Sequence, residues 1–148
     1  MESRRARTLL AEGAIRSLHL PRRKPPRALG QEPFDHSGHL IGHRFGGPNR
    51  RANIVAMHGL VNLNPGSWYV VEDEIADFIG AGTGTMRVRV RYHEAWPLRP
   101  IAFHVEARSP SGAFRTWHVR NSNPYLPNPQ LQAQLEATAE KLAEDSRA

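Results

Sequence analysis

A chain of 148 residues without cysteine excludes a disulfide framework and any thiolate metal site. Twenty Lys and Arg against 14 Asp and Glu leave a net charge of +6, a balance that favours a polyanionic partner such as nucleic acid. No apolar run approaches the ~20 residues that cross a bilayer, no signal-peptide apolar region with a small-residue cleavage site opens the chain, and the length suits one domain with one core. All but two of the basic residues, Lys24 and Lys141, are Arg. Arg binds phosphate through a planar fork, although an Arg- and Ala-rich composition also arises from a GC-rich genome.

Residues 1–30 form a basic segment with the Pro-rich run PRRKPPR at 21–27. Each Pro removes a backbone donor and restrains the residue before it, so this run reads as extended. EGAIRSLHL, 12–20, reads as one strand ahead of it. Residues 35–63 read as short strands and loops, with HLIG and NIVAM as apolar runs bounded by turn residues and GGPNRRA as a loop between them. A helix follows, with Asn64 as its N-cap and Pro65 in its first position. Trp68, Val71, Ile75, Phe78 and Ile79 share its apolar face, while Asp73, Glu74 and Asp77 lie opposite. GAGTG, 80–84, ends it. Three alternating strands come next, at 86–92, 101–107 and 114–119, joined by short Pro- and Gly-containing turns as an antiparallel meander. In the first of them Met86, Val88, Val90 and Tyr92 share one face, and Arg87, Arg89 and Arg91 the other. From Gln130 onward Leu131, Leu135, Thr138 and Leu142 recur at helical spacing.

The helix poses a specific problem. At ~100° per residue, Asn64 and Glu72 project about 80° apart with Trp68 between them. Both flank the core-facing side, which the other acidic residues avoid. A carboxylate there is costly unless it is paired, hydrogen-bonded or bound to a metal. Glu72 therefore needs a partner, either a divalent cation or one of the arginines. Asn64 either caps the helix or offers an amide oxygen to a hard ion such as Mg²⁺.

DHSGHLIGHRFGGPN at 35–49, continued by NIVAMHGLVNLNPGSWYVVEDE, resembles the DNA/RNA non-specific endonucleases of the ββα-metal (His-Me finger) superfamily, in particular their small bacterial secreted-toxin branch. Asp35 and Gly38-His39-Leu40-Ile41 match its first segment. Asn53-Ile54-Val55 match the second, and Leu63-Asn64, Trp68 and Glu72 the third. The resemblance implies an α+β fold: a ββα-metal finger with an antiparallel meander and a C-terminal helix. It divides the chain into the basic segment 1–30, a nuclease domain 31–127, and a helix or tail 128–148. His39 matches the general base, Asn64 the direct metal ligand, and Glu72 the carboxylate that holds the metal directly or through its water. Mg²⁺ is the implied cofactor, with Mn²⁺ as another hard cation. The implied activity is hydrolysis of phosphodiester bonds in DNA, and in RNA as a further substrate, leaving a 5′-phosphate and a 3′-hydroxyl, with little sequence preference.

Two departures bear on the chemistry. Ala76 stands where other branches carry a basic residue, and AMHGLVN replaces a glutamine-rich stretch. The transition-state cation is therefore sought elsewhere, first at Arg44. Arg50, Arg51 and the Arg87/Arg89/Arg91 face are the expected nucleic-acid contacts, although an alternating Arg face is as often simply solvated. Asp35 and Asn53 are supporting residues, Asp35 either orienting the site or capping the turn before Gly38. A zinc cluster of His36, His39 and His43 is disfavoured because Gly38 and Gly42 interrupt the helix it needs. The branch further implies a secreted effector acting in the cytoplasm of a target cell, with an inhibitory immunity protein as partner. The alternative placements and roles are a cytoplasmic protein and a basic nucleic-acid-binding module that does not cut.

Overall fold

The computed structural model describes residues 6–21, 23–63, 66–121 and 141. Strand β1 (Leu10–Ile15) is followed by β2 (Asp35–His39) and β3 (Ile54–His58), the one-turn helix α1 (Gly59–Asn62), helix α2 (Ser67–Ile79), and strands β4 (Gly84–Arg91), β5 (Ala102–Arg108) and β6 (Phe114–Arg120). The strands make two antiparallel sheets: four strands in the order β1-β4-β5-β6, and the hairpin-like pair β2-β3.

Alternation governs β4. Met86, Val88 and Val90 are buried while Arg87 and Arg89 face out, as the period of two requires. The buried face meets α2, which contributes Trp68, Val71, Ile75 and Ile79. Trp68 packs against Phe103 with ring centroids 5.1 Å apart and planes tilted by 59°. Each such side chain, fully buried, contributes about 1.5–3 kcal/mol. Phe78 lies at the rim of this face, edge-on to Trp117 of β6. The indole N–H of Trp117 donates to Glu74 at 2.6 Å, which fastens the helix's flank to the last strand. Glu74 is thus less remote from the core side than its wheel position implies.

Several boundaries differ from the sequence expectation. β1 begins at Leu10 and stops at Ile15, because its register is set by pairing with β4, Leu10 opposite Arg89 and Ile15 opposite Gly84. β2 ends at His39, so the apolar run that follows is a turn rather than a strand. Leu40 and Ile41 are nevertheless buried. Asn53 holds their backbone: its carbonyl accepts from Leu40 N–H at 2.9 Å, and its side chain accepts from Ile41 N–H at 2.9 Å and donates to the carbonyls of Ile41 at 2.9 Å and Pro48 at 3.1 Å. A buried amide that satisfies two backbone groups of a turn removes the need for a ladder there. Gly46 completes the turn at φ 86°, a left-handed conformation that favours glycine. Helix α2 starts at Ser67 with Gly66 as its N-cap, and Gly66 offers no side-chain cap. Asn64 and Pro65, expected at that end, lie outside the described residues, as does the expected C-terminal helix with Leu131, Leu135, Thr138 and Leu142. Residues 10–15 belong to the main sheet as its edge strand β1. Among the described residues, no helix is long and apolar enough to cross a membrane.

A polar seam joins the two sheets. Asp35, at the start of β2, receives both arms of Arg99 from the β4–β5 connection, Nε and Nη2 each at 2.8 Å. It also caps Glu32 N–H at 2.9 Å. Asn121, just past β6, donates to the carbonyls of Ala56 and Pro100 and accepts from His58 N–H. These contacts fix how the β2-β3 pair, and everything at its end, sits against the four-stranded sheet.

Candidate active site

The end of β2 and the second turn of α2 open onto one cleft of about 940 Å³. His39 and Ser37 line it from β2, Gly42, His43 and Arg44 from the following turn, and Tyr69 and Glu72 from α2. Asn62 and Leu63 close one end, and Leu18 to Pro21, Arg23 and Pro25 form the opposite wall. His39 and Glu72, 33 residues apart in sequence, are thus brought together by the ββα arrangement. Asn64 lies outside the described residues; its neighbour Leu63 lines the cleft.

His39 is half-buried, and its Nε2 lies 2.6 Å from Asn49 Oδ1. Burial lowers its pKa below the ordinary 6.5; the Asn49 hydrogen bond opposes this, and the nearby His43 adds to it. The ring is therefore neutral at neutral pH, the form that accepts a proton. Glu72 behaves in the opposite sense. Burial pushes its carboxyl up to about 7, with Arg44 pulling it back and Asp73 raising it further. Among the described residues no side chain donates a hydrogen bond to this carboxylate. Arg44, the nearest cation, instead pairs with Asp73 at 2.6 Å on the open side of the helix. Glu72 rests against Gly42, where a Cβ would overlap its Oε2.

A partly buried carboxylate with no hydrogen-bond donor, lining a cleft, is what a bound cation would neutralise. The described residues offer few ligands: no three His, Cys, Asp or Glu side chains among them lie together as a metal cluster. That donor set fits an ion that takes one or two protein oxygens and keeps several waters, as Mg²⁺ does, better than one that needs a closed nitrogen or sulfur cage.

The arginines divide by location. Arg44 lies in the cleft, stacked over Phe45. Arg23 also lines it, and no motif pointed to it. Arg50 is exposed in the loop after Asn49, and Arg51 lines a separate cavity with Arg7, Ile54 and Tyr92. Arg87, Arg89 and Arg91 occupy the face of β4 turned away from α2 and the cleft, and Arg87 is paired with Glu12 at 2.8 Å. Asp35 sits at the far end of β2 from His39, held by Arg99, so it anchors the strand rather than touching the site. Asn53 acts one layer behind His39, on the turn that carries the cleft's Gly42. Asn49, Arg23 and the wall residues Leu18 to Pro21 and Pro25 are the features the motifs missed. Nothing in their residue types announces them; they are brought in by the fold.

Strands β2 and β3 with α2, laid on an antiparallel sheet, are the fold class of the ββα-metal nucleases. The structure of NucA from Streptococcus agalactiae with magnesium bound is similar at a TM-score of 0.61 and 20% identity, over 80% of this chain and 66% of that one. Its metal-free form gives 0.60 and 19%, over 79% and 66%. The Sda1 nuclease with bound zinc gives 0.55 and 22%, over 67% of this chain and 43% of that one.

At the level of sequence, the model of the DNA/RNA non-specific endonucleases matches residues 17–111, and the chain belongs to that family. The type VII secretion system protein EssD of Staphylococcus aureus (strain USA300) is 32% identical over 87 residues, 54% of this chain. The EssD of strain NCTC 8325 is similar to the same extent. The chain spans about one seventh of those relatives, 14% of their length.

Proposed function

We propose that this chain is a divalent-metal-dependent endonuclease that hydrolyses phosphodiester bonds of DNA, and of RNA as a further substrate, with little sequence preference. The observation that carries this is the convergence of a neutral histidine and a partly buried carboxylate without a hydrogen-bond donor in one cleft of a chain from the non-specific endonuclease family.

Each residue has a task. His39 takes the proton from the water that attacks phosphorus, and its lowered pKa keeps it available for that task at neutral pH. Glu72 and Asn64 would hold a cation such as Mg²⁺ or Mn²⁺, which supplies neutralisation of the phosphate's charge and of the leaving oxygen. Arg44 and Arg23 meet the phosphates from the cleft walls. Contacts of this kind carry no base identity, which accounts for weak sequence preference. The likeness to a type VII secretion system protein and the strong positive charge support a secreted effector whose toxin domain is this chain. An acidic immunity protein covering the cleft is its natural partner.

Digestion of circular DNA, linear DNA and RNA tests the reading. Cleavage is expected with Mg²⁺, lost in EDTA, and reduced about 10²- to 10⁴-fold in His39→Ala with unchanged circular dichroism. Full activity in a folded His39→Ala protein would overturn the mechanism. A gel shift without products in Mg²⁺ would instead assign a binding module.

A further inference from the structure

Asn49 belongs to none of the matched motifs, yet it touches the ring that matters most. Its Oδ1 is 2.6 Å from His39 Nε2, and its Nδ2 donates to the carbonyl of Arg23 at 3.3 Å. The second contact decides the first. A backbone carbonyl only accepts, so the amide must turn its NH₂ toward Arg23 and its oxygen toward the ring. Reversed, it would set two oxygens against each other. An amide oxygen also only accepts, so Nε2 must carry the proton. In a neutral imidazole this leaves Nδ1 as the proton acceptor. We propose that Asn49, fastened by the Arg23 carbonyl, is a positioning residue that holds neutral His39 as its Nε2–H tautomer, so that Nδ1 receives the proton from water.

The anchor is itself fixed. Leu18 N–H donates to the Arg44 carbonyl at 2.8 Å, and His43 Nε2 donates to the Pro21 carbonyl at 2.8 Å. Leu18 and Pro21 are thus both tied to the turn that follows His39. Two further features agree with a tether. Among the described residues, His39 Nδ1 has no hydrogen-bond partner, and the Asn49 side chain makes no hydrogen bond other than these two. The role rests on His39 being the base, but the tautomer is readable without any activity.

Two-bond ¹H–¹⁵N spectra of protein with labelled histidine, recorded near pH 8 where the ring is neutral, test it directly. The wild type is expected to show His39 as Nε2–H, and Asn49→Ala a mixture of tautomers. In that variant kcat should fall about 10- to 100-fold with KM little changed, as when the partner that orients a reactive histidine is removed. Asn49→Asp keeps an acceptor for the ring but loses the donor to the Arg23 carbonyl, so it should favour the Nε2–H tautomer yet recover only part of the rate. An Nδ1–H ring in the wild type overturns the proposal, and it does so even if Asn49→Ala fails to fold. So does an Ala variant with wild-type tautomer and rate. A protein that cuts nothing, yet shows the Nε2–H ring and loses it in Asn49→Ala, would remove the nuclease reading and leave the tether standing.

Discussion

On the proposed reading, metal binding and stability meet at Glu72. Its carboxyl is raised from 4.5 to about 7 by burial. Below pH 4.5 it is protonated whether the chain is folded or not, and folding carries no penalty. As pH rises toward 7 the unfolded chain ionises first, so the folded state loses relative stability, and above that pH the full loss remains. At about 1.36 kcal/mol per pH unit the loss is on the order of 3 kcal/mol. Between pH 5 and pH 8 metal-free wild type is therefore expected to lose more melting temperature than Glu72→Gln, a comparison in which the opposite contributions of His39 and His104, whose pKa values are lowered, cancel. Mg²⁺ should restore the difference at the higher pH and do little at the lower, as calorimetric melts with and without the ion will show. An equal change in the two proteins would mean the carboxylate is already neutralised. Gly42 supplies the companion variant. Its φ of −58° and ψ of 148° suit any residue, so only space reserves the position. A Cβ there displaces the end of a flexible side chain and not the backbone. Gly42→Ala should leave the fold intact and weaken Mg²⁺ about 10- to 100-fold by titration calorimetry. It should also flatten the pH dependence of melting, since the carboxylate is pushed outward.

At the scale of elements, position is held by polar seams that no periodicity reveals. Asp35 is 1% exposed at its side chain and Arg99 18%. Removing one member of such a pair strands the other, at a cost of about 3–5 kcal/mol. Arg99→Ala is expected near the lower end, because its own side chain reaches water, and urea unfolding should read it. A loss under ~1 kcal/mol would mark the pair as a surface ion pair in energetic terms. The contrast explains what was legible. Helix α2 and the meander were readable because Trp68, Ile75, Met86, Val88 and Val90 repeat at 3.6 or 2 residues and the burial follows the period. The turn after His39 was not, because Leu40 and Ile41 are as apolar as a strand, and what makes a turn there is the Asn53 side chain, 12 residues from Ile41, with the backbone bonds that fold 42–47 back on themselves. Glu72 stood out as a charge on the core-facing side of its helix, and His39 only through the resemblance of its segment to the endonuclease motif. Asn49, Arg23 and Arg99 act through contacts across loops, which leave no local pattern.

Over the whole molecule, the question is which of 18 arginines meets the substrate. The fold puts candidates on two surfaces that face opposite ways. Arg23 and Arg44 line the cleft with His39 and Glu72. Arg87, Arg89 and Arg91 sit on the outer face of the sheet, separated from the cleft by the core and α2, and Arg87 is already paired with Glu12. A short oligonucleotide held for cleavage reaches the first surface and not the second. Each phosphate contact adds about one unit to the dependence of binding on the logarithm of salt concentration. Arg23→Ala and Arg44→Ala are thus each expected to raise KM for a short duplex and to lower that slope by about 1. Arg89→Ala should leave both unchanged, although all three variants remove the same charge. Long DNA separates a local contact from a global field: if Arg89→Ala weakens binding only of long polymers, the outer face tracks nucleic acid away from the cut. Equal effects of all three variants on the short duplex would show that net charge, rather than the cleft, sets affinity.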